Sequence, residues 1–318
     1  MAKGKILLTG GAGFIGSQLS AHLLNEGWAL DVIDSFDTFY DPAIKESNVA
    51  SLHTFPAYRL HRIDIRDLES LKALDGGYDA IIHLAARAGV RPSIEEPVLY
   101  QEVNVRGTQN ILEMARQWGV PRFVFASSSS VYGLNTSLPW REEDAVLKPI
   151  SPYASTKVSG ELLGHVYSHL YGIRFLALRF FTVYGPHQRP DLAIHKFSRL
   201  MLQGKPVPLF GDGSSRRDYT YIDDIVQGIG GALAYDRSMY EVVNLGNDRT
   251  VSLREMLGVL EDALDVKAQI EWLPEAPGDL QATWASIRKA KDLFGYSPQL
   301  SFEEGVQRFA QWIRQQAV

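Results

Sequence analysis

Short apolar runs alternate along the first half of the chain with longer stretches whose apolar positions recur every three or four residues. Lys5–Thr9, Ala29–Asp34, Tyr58–Ile63, Ala80–Leu84, Arg122–Ala126 and Phe175–Phe180 have the length and apolar content of strands. Phe14–Gly27 has helical spacing, with Phe14, Leu19, Leu23 and Leu24 on one side; Val105–Trp118 and Tyr153–Tyr171 follow the same pattern. Strands alternating with helices predict a parallel sheet covered on both faces. Beyond Gly185 the pattern loosens, and proline and glycine punctuate Pro186–Gly213 and Pro274–Gly278. Helices are predicted at Ala193–Gln203, Ile222–Leu233, Leu253–Ala263 and Ser301–Val318. The expected architecture is α/β: a doubly wound parallel-sheet domain over 1–180, and a smaller mixed α/β lobe over 181–318. Part of 214–240, around Asp223–Tyr235, is expected to return to the first domain.

Composition narrows the chemistry. The 318 residues carry a net charge of −5, which provides no broad basic field for nucleic acid or an anionic membrane. An anionic ligand must then be held by local arginines. There is no cysteine, so thiolate metal sites, disulfides and cysteine nucleophiles are excluded. His165 and His169 stand four apart, but without an HExxH pattern or a third ligand they predict no metal site. Neither a signal h-region nor an apolar run of about 18 residues is present, and the chain reads as cytoplasmic.

Thr9-Gly10-Gly11-Ala12-Gly13-Phe14-Ile15-Gly16 lies between the first strand and the first helix. In that setting Gly10 permits a tight turn and Gly13 lets backbone approach a pyrophosphate at the helix N-terminus. Gly16 allows close helix–strand packing. The spacing is G-x-x-G-x-x-G. Asp34, with Ser35 beside it, ends the second strand. A carboxylate there accepts both ribose hydroxyls and repels a 2′-phosphate, so NAD is expected over NADP; the plainer alternative is a helix-cap or turn aspartate. Asp64-Ile65 follow the third strand and suit an adenine ring, although Asp64 would equally serve as N-cap of a helix at Leu68–Leu74.

Tyr153 and Lys157, four apart on a helix, share a face. An ammonium beside a phenol lowers its pKa, and such a phenol can take a proton from a sugar hydroxyl while hydride leaves the same carbon. The pattern alone also fits an ordinary surface helix pair. Ser127-Ser128-Ser129-Ser130 end the fifth strand, where strand C-termini face the crevice of a doubly wound sheet. For two of these serines a turn role is as reasonable.

The motifs jointly resemble the extended short-chain dehydrogenase/reductase family, specifically its nucleotide-sugar epimerases. They are TGGAGFIG, HLAA at His83–Ala86, SSSSVYG at Ser127–Gly133, YxxxK at Tyr153–Lys157 and RRDYTYIDDI at Arg216–Ile225. The resemblance covers nearly the whole chain. It implies a Rossmann domain with a UDP-sugar-binding lobe and tightly bound NAD held by Gly10, Gly13, Phe14, Ile15, Gly16, Asp34, Ser35, Asp64, Ile65, Leu84, Ala85, Ala86, Tyr153 and Lys157. It also implies catalysis by Tyr153, Lys157, Ser128 and Ser129, and a homodimer formed through the helices at 105–118 and 153–171.

Within that family, dehydratases carry Asp-Glu after the catalytic threonine and uronate decarboxylases a glutamate in this stretch. Here Ser129 and Ser130 stand there, which favours epimerisation. Phe39-Tyr40-Asp41-Pro42 with Lys45, the stretch Ala88–Ser93, Phe180–Pro186 and Arg189-Pro190-Asp191 are similar to UDP-glucuronate 4-epimerases. The resemblance assigns the C6 carboxylate to Thr182 and the serine run, with Arg189 as charge partner; Arg189 could also be a solvated loop arginine. It assigns UDP to Arg217, with Phe210 over the uracil and Asp279 at its ribose; the plainer readings are a surface salt bridge, core packing and a turn aspartate. The arginine or glutamine that some relatives carry before Pro-Gly-Asp is replaced here by Pro274-Glu275-Ala276, so a second phosphate arginine is either missing or supplied elsewhere, with Arg91 the candidate. The expected activity is NAD-dependent C4 epimerisation of a UDP-sugar, foremost UDP-glucuronate to UDP-galacturonate through a 4-keto intermediate. The alternatives are a UDP-glucose or UDP-N-acetylhexosamine 4-epimerase, a lyase on the same scaffold, and a non-catalytic NAD sensor.

Overall fold

The computed structural model describes residues 3–144, 148–274 and 280–316. Six strands follow the sequence pattern closely: β1 (Lys5–Thr9), β2 (Ala29–Asp34), β3 (Tyr58–Arg62), β4 (Ala80–His83), β5 (Arg122–Ser128) and β6 (Arg174–Phe180). They are parallel and lie in the order β6-β5-β4-β1-β2-β3. A seventh strand, Tyr240–Leu245, pairs in parallel with β6 and was not singled out by its pattern. Val243 and Leu245 are buried, but Tyr240, Glu241 and Val242 are only half-buried, so it lacks the continuous apolar run of its neighbours. The sheet is a doubly wound Rossmann sheet, and the strand order reverses between β1 and β4, which opens a crevice at their C-terminal ends.

Two helices set the geometry of that crevice. The first, Phe14–Asn25, buries Phe14, Leu19, Leu23 and Leu24 as its spacing predicts. The second, Pro152–Tyr171, starts at Ser151, whose hydroxyl accepts the Ala154 N–H at 3.1 Å, and stops at left-handed Gly172. Gly160 and Gly164 face the sheet. A Cβ on them would lie 2.3 Å from the Phe125 ring and 2.1 Å from the Phe175 ring. Their bare backbones therefore let this helix settle directly on β5 and β6.

The helix predicted to begin at Val105 begins earlier. Pro97–Tyr100 leads through a π-helical turn, Gln101–Arg106, into Gly107–Gln117. The wide turn carries buried Asn104, which accepts the Arg87 N–H at 2.8 Å and donates to the Arg87 carbonyl at 2.9 Å and to Thr156 Oγ1 at 3.0 Å. It thereby ties the loop after β4 to the Tyr153 helix.

Beyond β6, three short strand pairs form the second layer: Thr182–Tyr184 with Tyr219–Tyr221, Arg216–Arg217 with Val251–Ser252, and Val207–Phe210 with Ile270–Leu273. Helices Ala193–Leu202, Leu253–Leu264 and Phe302–Gln315 pack on one another beside them. The helix Ile222–Ala234 packs against Phe14–Asn25 and under β5 and β6. Among the described residues no helix is long and apolar enough to cross a membrane.

Candidate functional site

A cavity of about 550 Å3 occupies the crevice and runs between the sheet and the second layer. Its walls bring together most residues singled out from sequence: Gly10, Gly13, Phe14, Ile15, Gly16, Asp34, Ser35, Asp64, Ile65, Leu84, Ala85, Ala86, Ser128, Ser129, Tyr153, Lys157, Thr182, Arg189 and Arg217. Arg91 and Phe210 do not line it. They meet each other, with the guanidinium 4.9 Å from the ring centroid. Asp279 lies outside the described residues.

One end has the form of a dinucleotide cradle. A Cβ on Gly16 would stand 2.3 Å from the Gly10 carbonyl oxygen, and one on Gly10, itself at φ +72°, would stand 2.7 Å from the Ala85 nitrogen. Only glycine fits either place. Gly13 caps the first helix without a side-chain acceptor, so the helix N–H groups stay open toward the cavity. Asp34 is buried and accepts the Ala12 and Phe36 N–H groups at 3.1 and 2.8 Å. Lys45 Nζ, eleven residues on, lies 3.9 Å from its carboxylate. In the wall, Arg87 Nε is buried without a partner among the described residues. Bare glycines, open helix N–H groups and an unpaired donor fit a pyrophosphate-bearing cofactor. Asp64 lines the same end with its carboxylate forked onto Arg66; the N-cap of the next helix is Asp67.

Beneath this end runs an ordered chain of hydrogen bonds. The Ala85 N–H donates to Thr9 Oγ1 (3.1 Å), Thr9 to His83 Nδ1 (2.6 Å), His83 Nε2 to Thr108 (2.9 Å) and Thr108 to the Asn104 carbonyl (2.5 Å). This order requires a neutral imidazole protonated on Nε2. Burial, helped by the Lys157 charge, pushes His83 down to about 3, which keeps it so.

At the other end stand the chemical groups. Tyr153 lines the cavity with its ring edge-on to Tyr100. Burial raises its phenol, while Ser128 and the Arg189 charge pull it down. Lys157 stands beside this ring. Its ammonium sits 5.8 Å from the Tyr153 ring centroid but donates to the Ala126 carbonyl at 2.7 Å. Burial lowers Lys157 to about 8, and Glu161 holds it from falling further.

The four serines divide. Ser127 donates to Glu161 Oε1 at 2.5 Å, and Glu161 forks onto buried Arg179 at 2.9 and 2.8 Å. Its role is structural. Ser130 donates to Ser128 Oγ at 3.0 Å. Ser128, which lowers the Tyr153 phenol, lies on the cavity wall with Ser129 beside it.

Arg189 is no solvated loop arginine. It lines the cavity, its Nε and Nη2 donate to Asp191 at 2.9 and 2.8 Å, and it lies 5.5 Å from the Phe39 ring centroid. Arg217, also in the wall, donates from Nη1 to the Arg216 carbonyl. The glycine motif and the YxxxK pair could be read from spacing. Asn104, Glu161 and Arg87 could not, because each acts through a partner tens of residues away.

A model of the NAD dependent epimerase/dehydratase family matches residues 6–246. The chain is 41% identical to the UDP-glucuronate 4-epimerase of Thermodesulfobacterium geofontis, over 98% of this chain and 97% of that protein. The crystal structure of UDP-glucuronic acid 4-epimerase from Bacillus cereus, in complex with UDP-glucuronic acid and NAD, superposes with a TM-score of 0.91 at 38% identity, covering 98% and 99% of the two chains. The UDP-glucose 4-epimerase of Thermotoga maritima, with UDP-glucose, superposes with a TM-score of 0.90 at 30% identity over 98% of each chain. Together with the cradle and the Tyr153 end of the cavity, these similarities place the chain in the NAD dependent epimerase/dehydratase family.

Proposed function

We propose that this enzyme epimerises C4 of UDP-glucuronate, giving UDP-galacturonate. The observation that carries the reading is one cavity lined by Tyr153, by the carboxylate-free Ser128-Ser129 wall, by Thr182 and by the Arg189 guanidinium. The similarity to UDP-glucuronate 4-epimerases supports it.

The glycine turn, Asp34, the 84–86 loop and Lys157 would hold NAD, which would supply a hydride acceptor and donor there. Tyr153 takes the proton from the C4 hydroxyl and later returns one. Ser128, in contact with the phenol, shares the reacting oxygen. The Arg189 charge stabilises the phenolate and attracts the uronate carboxylate. Arg217 holds the diphosphate.

A 4-keto uronate is a β-keto acid, which loses carbon dioxide when the C–C bond stands perpendicular to the carbonyl plane. Hydroxyls at Ser128, Ser129 and Thr182, together with the Arg189 charge, hold the carboxylate ionised and off that geometry. Held by its diphosphate at Arg217, the sugar would be free to turn and offer its opposite face. An exposed stripe on the Tyr153 helix, Leu162, Val166 and Leu170, supports pairing of two copies.

The test is a panel of UDP-sugars with products identified by nuclear magnetic resonance. UDP-galacturonate from UDP-glucuronate is expected, and Thr182→Ala should raise decarboxylated product relative to epimer. Turnover confined to UDP-glucose, or an unchanged product ratio in the variant, would count against the assignment.

A further inference from the structure

The cavity is roofed by a segment that the reaction does not use. After Asp34 the chain leaves the sheet and passes over the glycine turn. The Tyr40 hydroxyl comes to 4.0 Å from where a Gly13 Cβ would be. Phe39 then meets two guanidinium groups from different parts of the chain. Arg87, from the loop after β4, lies 5.4 Å from its ring centroid, and Arg189, from the second layer, lies 5.5 Å away. Both cations are fixed by carboxylates. Arg87 bonds Asp37 at 3.1 Å and Glu96 at 2.6 Å, and Arg189 is forked onto Asp191. Lys45 returns to the segment through the Asp37 carbonyl at 2.9 Å. A second cross-tie runs through Asn48, which donates to the Ala12 carbonyl at 3.1 Å and meets His187 Nδ1 at 2.8 Å.

The segment from 35 to 49 thus bonds to the glycine turn, to the loop after β4 and to the 187–191 loop, and Phe39 itself lines the cavity. A dinucleotide seated on the glycine turn lies under this roof. Lifting the segment would separate Phe39 from two cations at once. An aromatic ring in contact with two fixed, mostly buried guanidiniums is a stronger tie than one at an exposed site.

We propose that this segment is a strap that retains NAD between turnovers, and that Phe39, gripped by Arg87 and Arg189, is its latch. The inference concerns cofactor retention and holds for any UDP-sugar the enzyme accepts. An epimerase returns the hydride it removes and gains nothing from exchanging its cofactor, so a slow exit suits the family's chemistry.

The test uses enzyme loaded with NAD, stripped of free cofactor by gel filtration and chased with excess unlabelled NAD. Phe39→Ala should lose NAD on the order of tenfold faster or more, from the two cation–π contacts removed. Phe39→Leu keeps apolar packing but lacks the aromatic face, and should also release NAD faster than the parent. Melting in saturating NAD establishes that each variant is folded, and should Phe39→Ala fail to fold, Phe39→Leu decides. Parent-like release from a folded Phe39→Leu would overturn the latch, as would faster release from Phe39→Ala alone, which packing explains. Loss of uronate turnover with unchanged NAD release would bear on the substrate assignment and overturn the latch.

Discussion

Glu161→Gln tests how the protein keeps Lys157 charged. Glu161 lies one helical turn after Lys157, is buried, and forms a forked pair with Arg179. Its charge opposes the burial that brings the ammonium down to about 8. Side chains four apart on a helix stand about 6 Å apart at Cβ. At an effective dielectric of about 20, one unit charge at that distance contributes between about 2 and 3 kcal/mol, or one to two pKa units. Removing it leaves Arg179 unpaired, which lowers Lys157 in the same direction. Activity that needs the ammonium should therefore fail on the alkaline side at about pH 6 to 7 in the variant, against about 8 in the parent. The assay is the pH dependence of kcat/KM for the UDP-sugar. Breaking the buried pair should also cost about 3–5 kcal/mol of stability, so melting is followed in parallel. A Glu161→Leu, Arg179→Met double variant removes both charges and should recover stability, with the alkaline limb lying between the other two. A folded Glu161→Gln enzyme whose alkaline limb coincides with the parent's would refute the reasoning.

Two further outcomes follow from the same geometry. Tyr153→Phe removes the proton acceptor and leaves the packing against Tyr100, so turnover should fall by about 10²–10⁴ with melting unchanged; full turnover would end the proposed chemistry. His83 is held neutral, with its folded value near 3 against about 6.5 unfolded. The unfolded chain therefore binds the extra proton first as pH falls. The neutral ring's contribution is complete above about 6.5 and is lost progressively down to about 3, by up to about 5 kcal/mol. His83→Gln, which removes the titrating ring, should melt with a shallower dependence on pH across that window; identical slopes would contradict it.

How much of this could be read in the sequence depends on how local the cause is. The β1 run, the glycine turn and Asp34 lie within about thirty residues, and periodicity plus spacing locates them. Tyr153 and Lys157 are legible for the same reason. The strand Tyr240–Leu245 escaped because only its last half is fully buried. The π turn at Gln101–Arg106 escaped because its helical periodicity is broken where Asn104 turns inward. Ser128 and Arg189 also pull the Tyr153 phenol down, and neither stands near it in sequence; the Lys157 ammonium is anchored by the Ala126 carbonyl, thirty-one residues away. Arg91 and Phe210 were assigned to the ligand individually, and their stacking on each other is a tertiary fact.

The two glycines on the Tyr153 helix have a consequence well away from the pocket. With no side chain at 160 or 164, the helix backbone rests directly on the Phe125 and Phe175 rings, which set its distance from the sheet. An alanine at either position acts as a shim that tilts or lifts the rod carrying the phenol and the ammonium. Such a mutation would touch no ligand yet would misalign the reacting atoms, so it would present as an active-site defect in a protein whose cavity walls are all intact.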